Sequence, residues 1–89
     1  MSVKMRIVGH PDGPTAFDGQ YLMEYDPARP GVDPEGRKMI AHVVTTPDPE
    51  KALVFPSMDE ALETWRRSHG TREDGRPNRP LTAFTVTFE

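Results

Sequence analysis

Cysteine is absent from the 89 residues. That removes disulfide staples, thiolate nucleophiles and cysteine-ligated metals, and it leans towards a reducing compartment. Long apolar runs are absent as well. None approaches the ~18 residues that a membrane-spanning helix needs. The N-terminal MSVKMRIVGHPDG lacks a long apolar core followed by a small-residue cleavage site, so no secretory signal is expected. A cytoplasmic protein without a membrane segment is the resulting expectation. Positive charge is not in excess: 11 Lys and Arg stand against 14 Asp and Glu, for a net charge of −3, which argues against whole-surface binding to nucleic acid. The three histidines, His10, His42 and His69, fall in separate stretches with no HxH or HxxxH spacing. No metal and no cofactor is therefore expected.

What the chain has in quantity is punctuation. Ten prolines and seven glycines interrupt short periodic segments, which describes a loop-rich globular domain. Its length makes one domain, spanning 1–89, with the modest buried fraction of a small chain.

The clearest segment is Ser57 to Gly70, SMDEALETWRRSHG. Met58, Ala61, Leu62 and Trp65 share one face of a 3.6-residue period, and the charged residues take the other. Ser57 is placed to cap the start, with Glu60 completing a capping box. Gly70 suits a left-handed stop. Asp59 and Glu60 near the start, and Arg66, Arg67 and His69 near the end, suit the helix dipole. Glu63 and Arg67 form a favourable i, i+4 pair. A helix over about 57–69 is predicted. Being short, it must lay Trp65 and Leu62 onto an apolar surface, and only strands remain to supply one.

Val3 to Val8 alternates, with Val3, Met5 and Ile7 on one face and Lys4 and Arg6 on the other, the period of a half-buried strand. Gln20 to Tyr25 alternates again, which places Tyr21, Met23 and Tyr25 inward and Leu22 on the less buried side. Asp26 to Arg37, with three prolines and two glycines, is expected as a loop through which no strand or helix runs. Lys38 to Thr46, rich in β-branched residues, reads as a third strand. Asp48 caps a predicted single helical turn with Pro49 at its first position. Leu53 to Phe55 then forms a very short strand or an extended connector, with Phe55 as an anchor beneath the helix. Leu81 to Phe88 closes the chain as a strand whose natural partner is the first strand, antiparallel and central.

Together these predict an α+β two-layer domain: a three- to four-stranded, mainly antiparallel sheet with one helix on one face. The expected core is Met5, Ile7, Tyr21, Met23, Ile40, Phe55, Leu62, Trp65, Phe84 and Val86. The opposite sheet face is left to water or to a partner.

Three constellations bear on function. His10 and Asp12 share the turn GHPDGP, and a His–Asp pair can act as a base and its orienter. No nucleophile stands out beside it, so no catalytic residue is assigned and the chain is read as a non-enzyme, with a small enzyme around His10 and Asp12 as the lesser alternative. The carboxylates Asp26, Asp33, Glu35, Asp48 and Glu50 lack the alternation of a calcium loop and read as solvated charge. The third constellation is basic: Arg66, Arg67, His69, Arg72, Arg76, Asn78 and Arg79 fall within the helix end and the loop after it. Such a one-sided run could hold phosphate, an acidic protein surface or nucleic acid. It equally describes a helix C-terminus complemented by cations and a soluble loop.

Four stretches, FDGQYL at 17–22, TTPDPxxAxxF at 45–55, EAxxxWRR at 60–67 and GRPNRPLTAFTV at 75–86, together resemble a loose class of small proteins common in phages, prophages and GC-rich bacteria. The class has no shared activity, so no catalytic residue carries over. The resemblance implies an accessory role exerted by binding, in some members as an inhibitor of host defence complexes. The expected partner is therefore another protein, with nucleic acid as the alternative.

Overall fold

The computed structural model describes residues 2–89. The fold is built around β1 (Val3–Gly9). Its alternation is realised as expected: Val3, Met5 and Ile7 are buried while Arg6 and Val8 are exposed. The other strands are β2 (Tyr21–Asp26), β3 (Gly31–Val32), β4 (Lys38–Met39), β5 (His42–Thr46), β6 (Val54–Phe55) and β7 (Thr85–Phe88). β5 pairs with β2, β2 with β1, and β1 with both β6 and β7, every pair antiparallel. The expected pairing of the last strand with a central first strand is thus observed. Lys4 and Glu89 exchange amide hydrogen bonds of 2.6 and 2.8 Å, so the C-terminal segment runs the length of one edge of β1. Leu53 N–H donates to the Leu22 carbonyl at 2.8 Å, which sets β6 beside β2 on the other edge.

The main sheet has five strands where three to four were expected, and β3 with β4 makes a separate two-stranded ribbon. β3 lies in the stretch predicted to be free of strand and helix. Pro30 and Pro34 flank it, leaving just enough backbone for the two residues between to pair. Gly31 permits this: a Cβ there would sit 2.5 Å from the Ala41 carbonyl oxygen. The single turn at Pro49–Lys51 forms as predicted, with Asp48 Oδ1 accepting from Glu50 N–H at 2.9 Å. Phe55 is buried as expected. Leu81, predicted to begin the last strand, instead lies in a 3-10 turn, Pro80–Ala83, because Pro80 starts a turn more readily than a ladder.

Two faces differ from the expectation. Leu22, assigned to the less buried side, is 0 % exposed, while Tyr21 and Met23 are half-buried. The reason is a bulge. Leu22 pairs with Thr45 but Glu24 pairs with Val44, so the register slips at Met23. An inserted residue turns the rest of a strand over, and Leu22 and Tyr25, three apart, come to share the core side opposite Thr45 and Val43. Tyr21 lies opposite Arg6 on the other face, with the Arg6 guanidinium 5.6 Å from its ring centre. Ile40, expected in the core, is 71 % exposed. It sits in the break between β4 and β5, and the buried position passes to Ala41.

The helix α1 is Met58–Arg66. Ser57 caps it, Oγ accepting from Glu60 N–H at 3.2 Å. Ala61 is fully buried, Leu62 and Trp65 are half-buried, and Met58 is exposed. α1 packs on β1, β6 and the 3-10 turn, and Trp65 Nε1–H donates to the Phe84 carbonyl at 3.3 Å. The helix stops at Arg66, short of the predicted 69, because Arg67 turns extended (φ −62°, ψ 131°). His69 N–H is instead donated to Asn78, at 2.7 Å. Val3, Met5, Ile7, Phe17, Leu22, Ala41, Val43, Phe55, Ala61, Leu81 and Phe84 form one cluster, with Tyr25, Met39, Trp65, Val86 and Phe88 packed against it.

The bulge makes a direct prediction. Leu22→Ala lowers the unfolding free energy by about 3 kcal/mol, whereas Met23→Ala and Ile40→Ala each cost less than about 1 kcal/mol. Urea titration of the three variants measures the difference, and equal losses at Leu22 and Met23 contradict the register.

Candidate functional site

The loop after the helix folds into a hairpin. Asn78 N–H donates to the Gly70 carbonyl at 3.1 Å and Thr71 bridges to Pro77. Arg72 N–H donates to the Arg76 carbonyl at 2.7 Å, and Gly75 N–H returns to the Arg72 carbonyl at 2.9 Å. Gly75 takes φ +86°, the left-handed residue that follows a tight turn in a three-residue hairpin loop. Asp74 Oδ1 accepts from Arg76 N–H at 3.0 Å and holds the turn. The same device closes β3 onto β4. There Gly36 N–H donates to Asp33, Asp33 N–H to Arg37, and Asp33 Oδ1 accepts from the amides of Glu35 and Arg37. Asp-Gly at 74–75 was the available sequence signal for this hairpin.

The hairpin sorts the candidate residues. Arg72, Arg76, Asn78 and Arg79 line one open groove of about 600 Å³ with Ile40, Pro77, Pro80, Thr82 and Ala83. Arg76 reaches Asp74, Nε to Oδ2 3.8 Å. Arg72 and Arg79 are exposed and make no ion pair among the described residues. Their backbones are fixed all the same, Arg72 within the turn and Arg79 by Thr82, whose N–H and Oγ both donate to the Arg79 carbonyl, at 3.1 and 2.8 Å. Asn78 is half-buried and closes the hairpin base through its backbone. Ile40 was assigned to the core and so was missed as a groove residue.

Arg67 goes elsewhere. It donates to Glu63 Oε1 at 2.9 Å and borders a separate cavity of about 220 Å³ with Tyr25, Pro27, Leu53, Phe55 and Thr64. Burial raises the Tyr25 hydroxyl above its ordinary value of 10.0, with Arg67 pulling it back and Asp26 adding to the rise. Arg66 and His69 are exposed and line neither space.

His10 and Asp12 line a third cleft, of about 320 Å³, with Thr15, Phe17, Asp33, Glu35, Arg37, Met39 and Phe84. The His10 ring meets the Phe84 ring edge-on at 5.6 Å. Its Nδ1 accepts from Asp12 N–H at 3.0 Å, while the Asp12 carboxylate, 91 % exposed, lies 3.7 Å away. A neutral ring accepting at Nδ1 carries its proton on Nε2, which is the wrong tautomer for a base oriented by its carboxylate. Across the cleft Arg37 pairs with both Asp33 and Glu35. Thr15 Oγ1 donates to Asp18 at 2.8 Å. Among the described residues no three His, Asp or Glu side chains gather as a metal-binding group, and no helix is long and apolar enough to cross a membrane.

Compared with protein-family models, curated proteins and solved structures, the chain matches none of them.

The Tyr25 environment carries a pH dependence. Below pH 10.0 folded and unfolded chains both keep the proton, so stability is unaffected. As pH rises past that value the unfolded chain ionises first, and stability falls until the raised folded value is passed. Tyr25→Phe removes this part of the alkaline loss, measured by denaturant unfolding on either side of pH 10.0. An unchanged alkaline slope in the variant contradicts the assignment.

Proposed function

We propose that this chain is a non-enzymatic protein-binding module, and that its groove takes an acidic segment of another protein bearing an aliphatic side chain. The observation that carries the reading is the placement of two guanidinium groups without an ion pair among the described residues, Arg72 and Arg79, around an isoleucine that is 71 % exposed. An apolar contact rimmed by charge is the composition of an interaction patch. Arginine suits it further, because its planar fork binds carboxylates in pairs and its stem adds apolar contact. Both backbones are already fixed, so little ordering is lost on binding.

Nucleic acid would use the same arginines. Two features favour protein over it: among the described residues no aromatic ring lines the groove to stack a base, and the net charge is −3. The resemblance to phage and prophage accessory proteins makes a bacterial host protein the class of partner, and inhibition of a host defence complex the consequence of binding.

The test is capture from a nuclease-treated bacterial lysate by the wild-type chain and by Arg72→Glu/Arg79→Glu. The expected outcome is a specific protein that survives nuclease treatment and is lost with the double reversal, at a cost of about 2 kcal/mol or roughly thirtyfold in affinity. Ile40→Asp has the same direction, and Lys51→Glu, outside the groove, leaves capture intact. Equal capture by wild type and double variant, or none above background, contradicts the reading. Binding abolished by nuclease and falling steeply with salt moves the assignment to nucleic acid.

A further inference from the structure

β7 is the outer strand of the main sheet. Among the described residues it pairs with β1 alone. Its bonding to β1 fixes which backbone groups look outward. Lys4 and Glu89 exchange both amide hydrogen bonds, so Arg6 with Thr87 is the next such pair. Met5 with Phe88 and Ile7 with Val86 are the intervening pairs, whose amides point apart. Ile7 agrees with this alternation: its N–H donates to Gln20 at 2.8 Å and its carbonyl accepts from Gly19 at 2.7 Å, both on the opposite edge of β1. The N–H and C=O groups of Val86 and Phe88 therefore face off the edge of the sheet. Strands left in that position are ordinarily blunted by short length, charged side chains, proline or a bulge. β7 has short length alone: Thr85-Val86-Thr87-Phe88 carries no charge and no proline, and the register shift of this pair falls at Val8, on β1.

We propose that two copies of the chain join edge to edge through β7, antiparallel about a two-fold axis at Thr87. In that register Val86 of one copy exchanges both amide hydrogen bonds with Phe88 of the other, and Phe88 with Val86. Thr87 faces Thr87 as the close, non-hydrogen-bonded pair on the exposed face. On the core face Val86 and Phe88, both half-buried at the sheet edge, meet their cross-strand counterparts and extend the apolar layer from one copy to the next. Glu89 falls opposite Thr85. The two Glu89 carboxylates are thus about 14 Å apart along the strands, beyond the ~8–10 Å over which exposed charges interact at ordinary salt. A second copy suits this edge because the two-fold register covers the half-exposed apolar residues of both strands at once and sets no like charges face to face.

The absence of cysteine makes the test clean. Thr87→Cys places one thiol against its own copy, with Cα atoms about 4.5 Å apart, inside disulfide reach. Under mild oxidation this variant is expected to cross-link far faster than Thr82→Cys, which puts an exposed thiol on the 3-10 turn instead of the sheet edge. Sedimentation of the unmodified chain is expected to show a mass rising with concentration towards two copies. Thr87→Lys, which faces two ammonium groups across the axis, weakens that association about fivefold. Its exposed position leaves the circular dichroism unchanged. A chain that stays monomeric up to about 1 mM, or a Thr87→Cys rate equal to that of Thr82→Cys, overturns the proposal.

Discussion

Every layer of this fold is held by β1. Its three buried side chains, Val3, Met5 and Ile7, form the floor on which α1 rests. Both of its edges are occupied, one by β7 and the other by β2 and β6 in succession. The elements it joins come from distant parts of the chain, so their loop-closure cost is met only once β1 is in place. The helix adds a second tie: Trp65 covers the sheet with its ring and uses its indole N–H on the Phe84 carbonyl, just ahead of β7. The same side chain thus fixes the helix and the approach of the last strand. Nine helical residues would be marginal in water without that surface.

What was legible in the sequence was what depends on local chemistry. The Ser57 cap, the Asp48 turn with Pro49, the alternation of β1 and the Glu63–Arg67 pair each need only neighbouring residues, and each is found. The antiparallel return of the last strand was legible too, because a regular apolar alternation needs a partner. The face of β2 was not. Tyr21, Met23 and Tyr25 alternate perfectly on paper, but a bulge at Met23 is set by the β5 register, and nothing local announces it. Ile40 failed for a related reason: β-branched residues from Lys38 to Thr46 look continuous, whereas the pairing of Gly31 with Met39 breaks them in two.

The basic segment illustrates the same division. Composition marks the stretch from Arg66 to Arg79 as one patch, and the fold separates it. Arg67 turns back to Glu63 and the Tyr25 cavity, while Arg72, Arg76 and Arg79 gather at a groove with Ile40. What separates them is a hairpin whose turn, Arg72 to Gly75, repeats the one at Asp33 to Gly36. In each, an aspartate carboxylate holds the amide of the arginine that follows the glycine. Rigid turns of this kind fix the arginine backbones and leave the guanidinium groups at the surface.

β1 is enclosed on both edges and beneath α1, so that nothing short of global unfolding exposes it. Amide hydrogen exchange read residue by residue tests this directly. The amides of Arg6 and Ile7 should exchange only through global opening and rank among the slowest in the chain, with those of the Arg72–Arg76 turn many times faster. Exchange at Arg6 and Ile7 as rapid as in that turn would mean that β1 opens locally and does not hold the fold together.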